Sequence, residues 1–190
     1  MAIQLRQAQP SDLGGVIAVE KEMYGVDYTQ GTFLRYFAVF PEGFVVAEDT
    51  SARGERRIIG FVVTIRLRTI CAIPYVHDPA ILHVPDGDVL YLSGFGVDSQ
   101  FKPLGVGEML YSRVLDIGKA LGARHYVVIC MEGDPTDEYE IGLVKRFSLH
   151  KDHVVDWEIA PGRLYLQACQ SPSRTFSSRT GPAAPSSWVS

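Results

Sequence analysis

Two apolar rhythms alternate along this chain. Short runs of β-branched, aromatic and leucine residues predict buried strands at Phe44 to Glu48, Ile58 to Arg66, Val89 to Val97 and His125 to Met131. Val154 to Ile159 and Leu164 to Ala168, joined by Ala160-Pro161-Gly162-Arg163, predict a closing hairpin. Spacings of three and four predict helices between the strands. Ser11 and Asp12 offer caps for one running to about Met23, with Leu13, Val16, Ile17 and Glu20 marking its faces. Thr32 to Phe40 and Glu138 to His150 read as shorter helices. Val106, Leu110, Val114, Ile117 and Leu121 form one stripe that Gly122 can stop. Asp49 to Arg57 is a polar hairpin connection, Glu132 to Asp137 a turn-rich break, and residues 67 to 88 a long irregular insertion. Ser, Pro, Thr, Arg and Gly dominate beyond Cys169, which predicts a disordered tail over 170–190 after a single domain over 1–169.

The junction between the Val89 strand and the Val106 helix concentrates the chemistry. Asp98, Ser99 and Gln100 supply a turn, and Gly105 and Gly107 let backbone approach a ligand without a Cβ in the way. The helix that follows points unpaired N–H groups and its positive dipole end at one spot, which suits a diphosphate. Lys102 adds a mobile positive charge. A Walker loop is excluded because Glu108 follows Gly107. A dinucleotide fingerprint starting at Gly94 would need its third glycine at Ser99.

Composition changes the picture by exclusion. The chain has 190 residues, 46% hydrophobic and 21% charged, with a formal net charge of −4. That is an ordinary globular composition, and its negative balance argues against a nonspecific nucleic-acid binder, which needs a basic face. The three cysteines, Cys71, Cys130 and Cys169, are far apart, so neither a disulfide framework nor a cysteine zinc site is expected. His150 and His153 lack an evident third ligand, so no metal is expected. No signal peptide or membrane-spanning run is read, and a reducing cytoplasmic setting is the expectation.

Val97, followed after four residues by Lys102-Pro103-Leu104-Gly105-Val106-Gly107, resembles the central motif of the GCN5-related N-acetyltransferase (GNAT) family. There a strand-ending valine precedes Arg or Gln, two variable residues, Gly, any residue, and Gly or Ala. Ile3 to Leu13 is similar to the family's opening strand and helix start, and Ile58 to Val63 to its third strand. The resemblance runs over roughly residues 3–169. It implies an α+β fold: a mixed, mostly antiparallel sheet of about seven strands with flanking helices, splayed at its middle. Lys102 keeps the motif's charge without the planar fork, and Pro103 cannot donate a backbone N–H.

The resemblance also implies an activity, acetyl transfer from acetyl-CoA to a primary amine by direct attack in a ternary complex. Partners are then acetyl-CoA and an amine acceptor, with no nucleic acid and no membrane. Homodimer formation is left open. Carried over by motif, Phe95, Gly96 and Val97 hold the pantetheine arm and polarise the thioester, and residues 102 to 107 hold the diphosphate. Tyr91 and Ser93 lie where family members often place a base, and are expected to line the acceptor site or order a water. On the following helix, Glu140 falls at the family's Asn position and Phe147 at its Tyr position, leaving Tyr139 or water as proton donor to the leaving thiolate. The acceptor pocket is expected to draw on Glu20, Glu22, Tyr24, Tyr28, Asp78, Asp86 and Asp88, because carboxylates among aromatics suit a cationic amine. A non-catalytic acyl-CoA-binding domain and a plain interaction module are the alternatives.

Overall fold

The structure is a computed structural model, describing residues 2–25, 30–51, 56–68, 78–131, 135–147, 150–155 and 165–170. Seven strands alternate with five helices: β1 (Ile3–Gln7), α1 (Leu13–Tyr24), α2 (Gln30–Val39), β2 (Phe44–Asp49), β3 (Arg57–Leu67), α3 (Pro79–Leu82), β4 (Val89–Val97), α4 (Val106–Ala120), β5 (His125–Met131), α5 (Pro135–Arg146), β6 (His150–Val155) and β7 (Tyr165–Gln170). The strands form one sheet in the order β1-β2-β3-β4-β5-β7-β6. Every pairing is antiparallel except β4 with β5.

The near-continuous apolar runs arise because helices cover both faces. Side chains alternate across a strand. Phe44, Val46, Phe61, Val63 and Tyr91 therefore meet Leu13, Val16, Val19, Phe33 and Tyr36 of α1 and α2. Val45, Ala47, Val62, Phe95 and Val128 meet Leu110, Tyr111, Val114 and Leu143 of α4 and α5. Each side of the central strands therefore has a core to enter, and strict polar alternation disappears.

Several boundaries differ from the sequence expectation. Asp12 does not cap α1. A 3-10 turn at Pro10–Asp12 precedes that helix, and the Asp12 carboxylate accepts from Gln9 N–H at 2.7 Å and from the Arg6 guanidinium at 2.6 and 2.8 Å. That ion pair holds Asp12 below the usual carboxylate range. Helix α5 starts at Pro135, three residues earlier than expected. Proline suits a first helical turn, whose N–H groups lack helical partners, and Asp137 and Glu138 favour that end's dipole. His150 lies in β6 instead of ending that helix. The irregular insertion contains α3, capped by Asp78 accepting from Ala80 N–H at 3.0 Å. The turn expected at 160–163 and the tail beyond 170 lie outside the described residues. Among the described residues, no helix is long and apolar enough to cross a membrane, and no group of three or more His, Cys, Asp or Glu could hold a metal ion.

Arg66 anchors the end of the insertion. Its guanidinium donates to Gly87 O at 2.8 Å, to Leu121 O at 2.9 Å and to Pro85 O. A cation suits the Leu121 carbonyl, which closes α4 at its negative dipole end. Replacing Arg66 by Met keeps most of the stem and removes the donors. The expected loss is about 2 kcal/mol, read as a lower urea midpoint.

Candidate functional site

Strand β4 parts from β5 halfway along. The two pair in parallel only from Val89↔His125 to Leu92↔Val128, while β4 stays paired with β3 as far as Val97↔Gly60. Beyond Leu92, β5 continues against β7 alone. The register with β3 skips Ser93, which is the extra residue of a bulge at the point of divergence. A wedge-shaped gap therefore opens in the sheet beside Ser93 to Val97.

The backbone groups facing that gap can be read from their contacts. Tyr24 Oη donates to Phe95 O at 3.3 Å, and Val97 N–H points to Met23 Sδ at 3.0 Å. A strand residue's N–H and C=O leave the strand on the same side. The Phe95 N–H therefore opens into the gap with its carbonyl, while Gly96 turns its groups to β3. The part played by Gly96 is steric: a Cβ there would lie 2.5 Å from Phe61 and 3.1 Å from Val19.

The start of α4 borders the gap. Lys102–Leu104 is a 3-10 turn, and Gly105 holds φ 78°, a left-handed conformation that favours glycine. The Leu104 and Gly105 amides are committed to Phe101 O and Lys102 O at 3.1 and 3.2 Å, and Pro103 has none. The helical ladder is entered with Met109 N–H donating to Gly105 O at 3.0 Å. The first-turn amides without a helical partner are those of Val106, Gly107 and Glu108, and the Gly107 amide meets the Tyr139 hydroxyl. Of the residues expected to form the cradle, 102 to 107, Leu104 and Gly105 thus spend their amides on the turn and Pro103 has none.

Aromatic rings wall the α4–α5 side. Phe95 meets Tyr111 edge-on at 5.3 Å and stacks on Tyr139 at 6.1 Å, and Phe147 lies 5.6 Å from Tyr111. Lys102 Nζ sits 5.1 Å from the Tyr139 ring centroid. The Tyr139 hydroxyl reaches the Gly107 backbone, where it would be 2.3 Å from an added Cβ. Tyr139 Oη and Glu108 Oε2 are buried beside each other and the Gly107 amide, and the other oxygen of Glu108 pairs with Arg146.

Two buried carboxyls face this region from opposite layers. Glu140 of α5 is 6% exposed and accepts from Tyr111 Oη at 2.6 Å. Burial pushes it up to about 8, against the Tyr111 hydrogen bond and with help from Asp137 and Glu20. Glu20 of α1 is 9% exposed, and burial raises it to about 7. Desolvation also raises Tyr24, Tyr91 and Cys130.

The other expected site residues are placed as follows. Tyr91 is buried and its phenol raised by desolvation, so it cannot serve as a base near neutrality. Ser93 Oγ shares a 2.6 Å hydrogen bond with Tyr36 Oη on the α2 side. Glu22 turns away from the gap and accepts from Ser99 N–H at 3.2 Å and Ser99 Oγ at 2.8 Å. Asp78, Asp86 and Asp88 are occupied by Arg35, Arg68 and Arg124. Tyr28 lies outside the described residues. A second cleft, on the far side of α1, brings Arg6 and Arg57 to Asp12 and Asp98, where the charges pair with one another.

A family model described as the acetyltransferase (GNAT) family matches residues 14–147. The chain belongs to that family. No curated protein matches it significantly in sequence. Among solved structures, Ard1 from Thermoplasma volcanium superposes with a TM-score of 0.69 at 16% identity, over 90% of this chain and 98% of that one. The loading GNATL domain of CurA from Lyngbya majuscula gives 0.70 at 16%, over 90% and 98%. The GphF GNAT-like decarboxylase, solved with isobutyryl-CoA, gives 0.68 at 19%, over 88% and 98%. At these identities the likeness establishes the GNAT fold, and what those proteins act on is theirs.

Proposed function

We infer that this chain transfers an acyl group, acetyl being the expected one, from acyl-CoA to a primary amine. The observation that carries the reading is the β4–β5 gap opening beside the first turn of α4. Together they offer the Phe95 N–H, a backbone edge whose Phe95 C=O and Val97 N–H are covered by Tyr24 and Met23 and would have to be uncovered, and the first-turn amides of α4. Coenzyme A fits these features. Its diphosphate would take the Val106, Gly107 and Glu108 amides, with Lys102 near enough to follow. Its pantetheine arm would lie against Phe95 and Val97, with the aromatic wall of Tyr111, Tyr139 and Phe147 beside it. The acyl-CoA supplies an activated carbonyl. The Phe95 N–H would hold that carbonyl's oxygen as charge builds on it, which is where a fixed backbone donor contributes most.

The family's tyrosine position is Phe147 here, so no phenol stands there to protonate the departing thiolate. A thiol with a pKa near about 8.5 leaves without dedicated help more readily than an alkoxide. Phe147 also favours the second reading, a domain that binds acyl-CoA without catalysis. The GphF neighbour, a GNAT-like decarboxylase, adds decarboxylation as a further chemistry on this fold. One pair of measurements separates acyl transfer from binding alone. CoA at a hundred times its Kd is expected to stabilise the protein by about 2.7 kcal/mol, seen as a raised Tm. Acetyl-CoA with a panel of primary amines is expected to release free thiol. Stabilisation without thiol release favours the binder, and absence of both removes the acyl-CoA reading.

A further inference from the structure

We propose that Glu20 is the group that takes the proton from the acceptor amine. The assignment rests on the acyl-transfer reading above and adds the catalytic residue that the motif does not supply.

The placement comes from α1. Glu20, Met23 and Tyr24 are spaced three and four apart, so they share one face of the helix. Met23 and Tyr24 touch the open backbone side of β4 at Val97 and Phe95. Glu20 is one turn back on that same face. It is more than nine-tenths buried, and its Oε2 has no hydrogen-bond partner. A buried carboxylate oxygen without a donor is costly to keep, and an amine arriving at the gap would satisfy it.

Elimination points the same way. Of the other carboxylates expected around the acceptor, Glu22 holds Ser99, and Asp78, Asp86 and Asp88 hold arginines. The ionisable groups around the gap include Tyr24, Tyr36, Tyr91, Lys102, Glu108, Tyr111, Cys130, Asp137, Tyr139 and Glu140, with Glu108 paired with Arg146 and Arg57 of β3 tied to Asp98. Burial keeps Tyr24, Tyr91 and Cys130 protonated at neutral pH, and Glu140 is already engaged by Tyr111.

The step balances without another reactant. The amine nitrogen gives its proton to the Glu20 carboxylate and its lone pair to the acyl carbon. The new carbon–nitrogen bond forms as the carbon–sulfur bond breaks. The thiolate keeps that bond's electrons and takes a proton through water, which regenerates the Glu20 carboxylate. A carboxyl poised near neutrality suits this exchange.

The test uses the full chain with acetyl-CoA and three probe amines: spermidine, an alanine-terminated peptide and an arylamine. With the amine that gives the fastest thiol release, Glu20→Gln is expected to lower kcat/KM by about 100-fold or more while keeping the thermal shift with CoA. The wild-type profile of kcat/KM is expected to show an apparent pKa near 7 that the variant lacks. Glu20→Asp is expected to recover part of the rate. An E20Q rate within about threefold of wild type overturns the proposal, since general-base removal costs far more. So does a slow E20Q enzyme that keeps the limb near pH 7, because that marks a structural role. If wild-type protein releases no thiol with any amine, the transfer reading itself fails and this proposal falls with it. That outcome is distinct from an active enzyme indifferent to Glu20.

Discussion

Glu140→Gln is expected to make the protein more stable at pH 9 than wild type and to flatten its stability between pH 5 and pH 9. A carboxyl whose folded pKa lies above its unfolded one stabilises fully below the unfolded value. That contribution disappears as pH rises through the folded value. Burial raises Glu140 from 4.5 to about 8 and Glu20 from 4.5 to about 7. Wild-type stability should therefore fall from about pH 5 upward, with Glu140 accounting for on the order of 5 kcal/mol and Glu20 for somewhat less. Above about pH 8 both would be charged and would repel across the gap. The substituted amide removes one charge and still accepts from Tyr111 Oη, so the 2.6 Å hydrogen bond has a successor. Urea unfolding at pH 5, 7 and 9 measures the effect. An E140Q profile as steep as wild type would mean that Glu140 does not titrate as a buried acid. At the acid end the sign reverses. Asp12, held low by Arg6, contributes stability above its ordinary 3.8 and loses it as pH falls further.

Gly107→Val is expected to weaken CoA binding by about 100-fold or more, a loss of the size that overpacking and a blocked diphosphate contact together produce. Gly105→Ala should leave binding largely intact. The contrast separates space from conformation. A Cβ at 107 would lie 2.3 Å from Tyr139 Oη and 2.9 Å from Leu143 Cδ1. Tyr139 can swing aside at its tip. Leu143 is fully buried between α5 and the core, so α5 must shift away from α4. Overpacking of this kind costs about 1–3 kcal/mol, and the valine methyl groups would stand where the proposed diphosphate contact at the Gly107 amide would form. At 105 the nearest atom to a new Cβ is Glu108 Oε2 at 3.9 Å, so space is available. The penalty there comes from the left-handed φ of 78°. It is about 1–2 kcal/mol for a side chain. Calorimetric titration with CoA, beside urea unfolding, reads both effects. Equal binding by G107V and wild type would mean that the diphosphate does not sit at this helix end.

Local signals made the core of the site legible in the sequence. Val89–Val97 needed only its composition, and α4 needed only its stripe and the glycines before and after it. Gly122, with φ 77°, ends that helix as its position suggested. Which amides stay free was harder to read, because only a structure reveals that Leu104 and Gly105 spend theirs on the turn itself. The splay of β4 was expected from the family resemblance alone, since no residue pattern marks where two strands stop pairing. The bulge at Ser93 has no composition signature either. Glu20 illustrates a different limit. The sequence places it among the expected acceptor-pocket residues, four residues after Val16 and four before Tyr24 on the buried stripe. Its helical position was the available signal, and its missing partner could be seen only in three dimensions. Arg66 was invisible for a related reason: its three acceptors come from the distant segments at 85–87 and at Leu121.

The proposed chemistry stands or falls on whether the first-turn amides of α4 and the open edge of β4 together receive coenzyme A. Backbone amide NMR on uniformly 15N-labelled protein titrated with CoA tests this most directly. Saturable one-to-one shifts are expected, largest at Phe95, Val97, Val106, Gly107 and Glu108. No saturable response at millimolar CoA, or a response centred away from these residues, would contradict it.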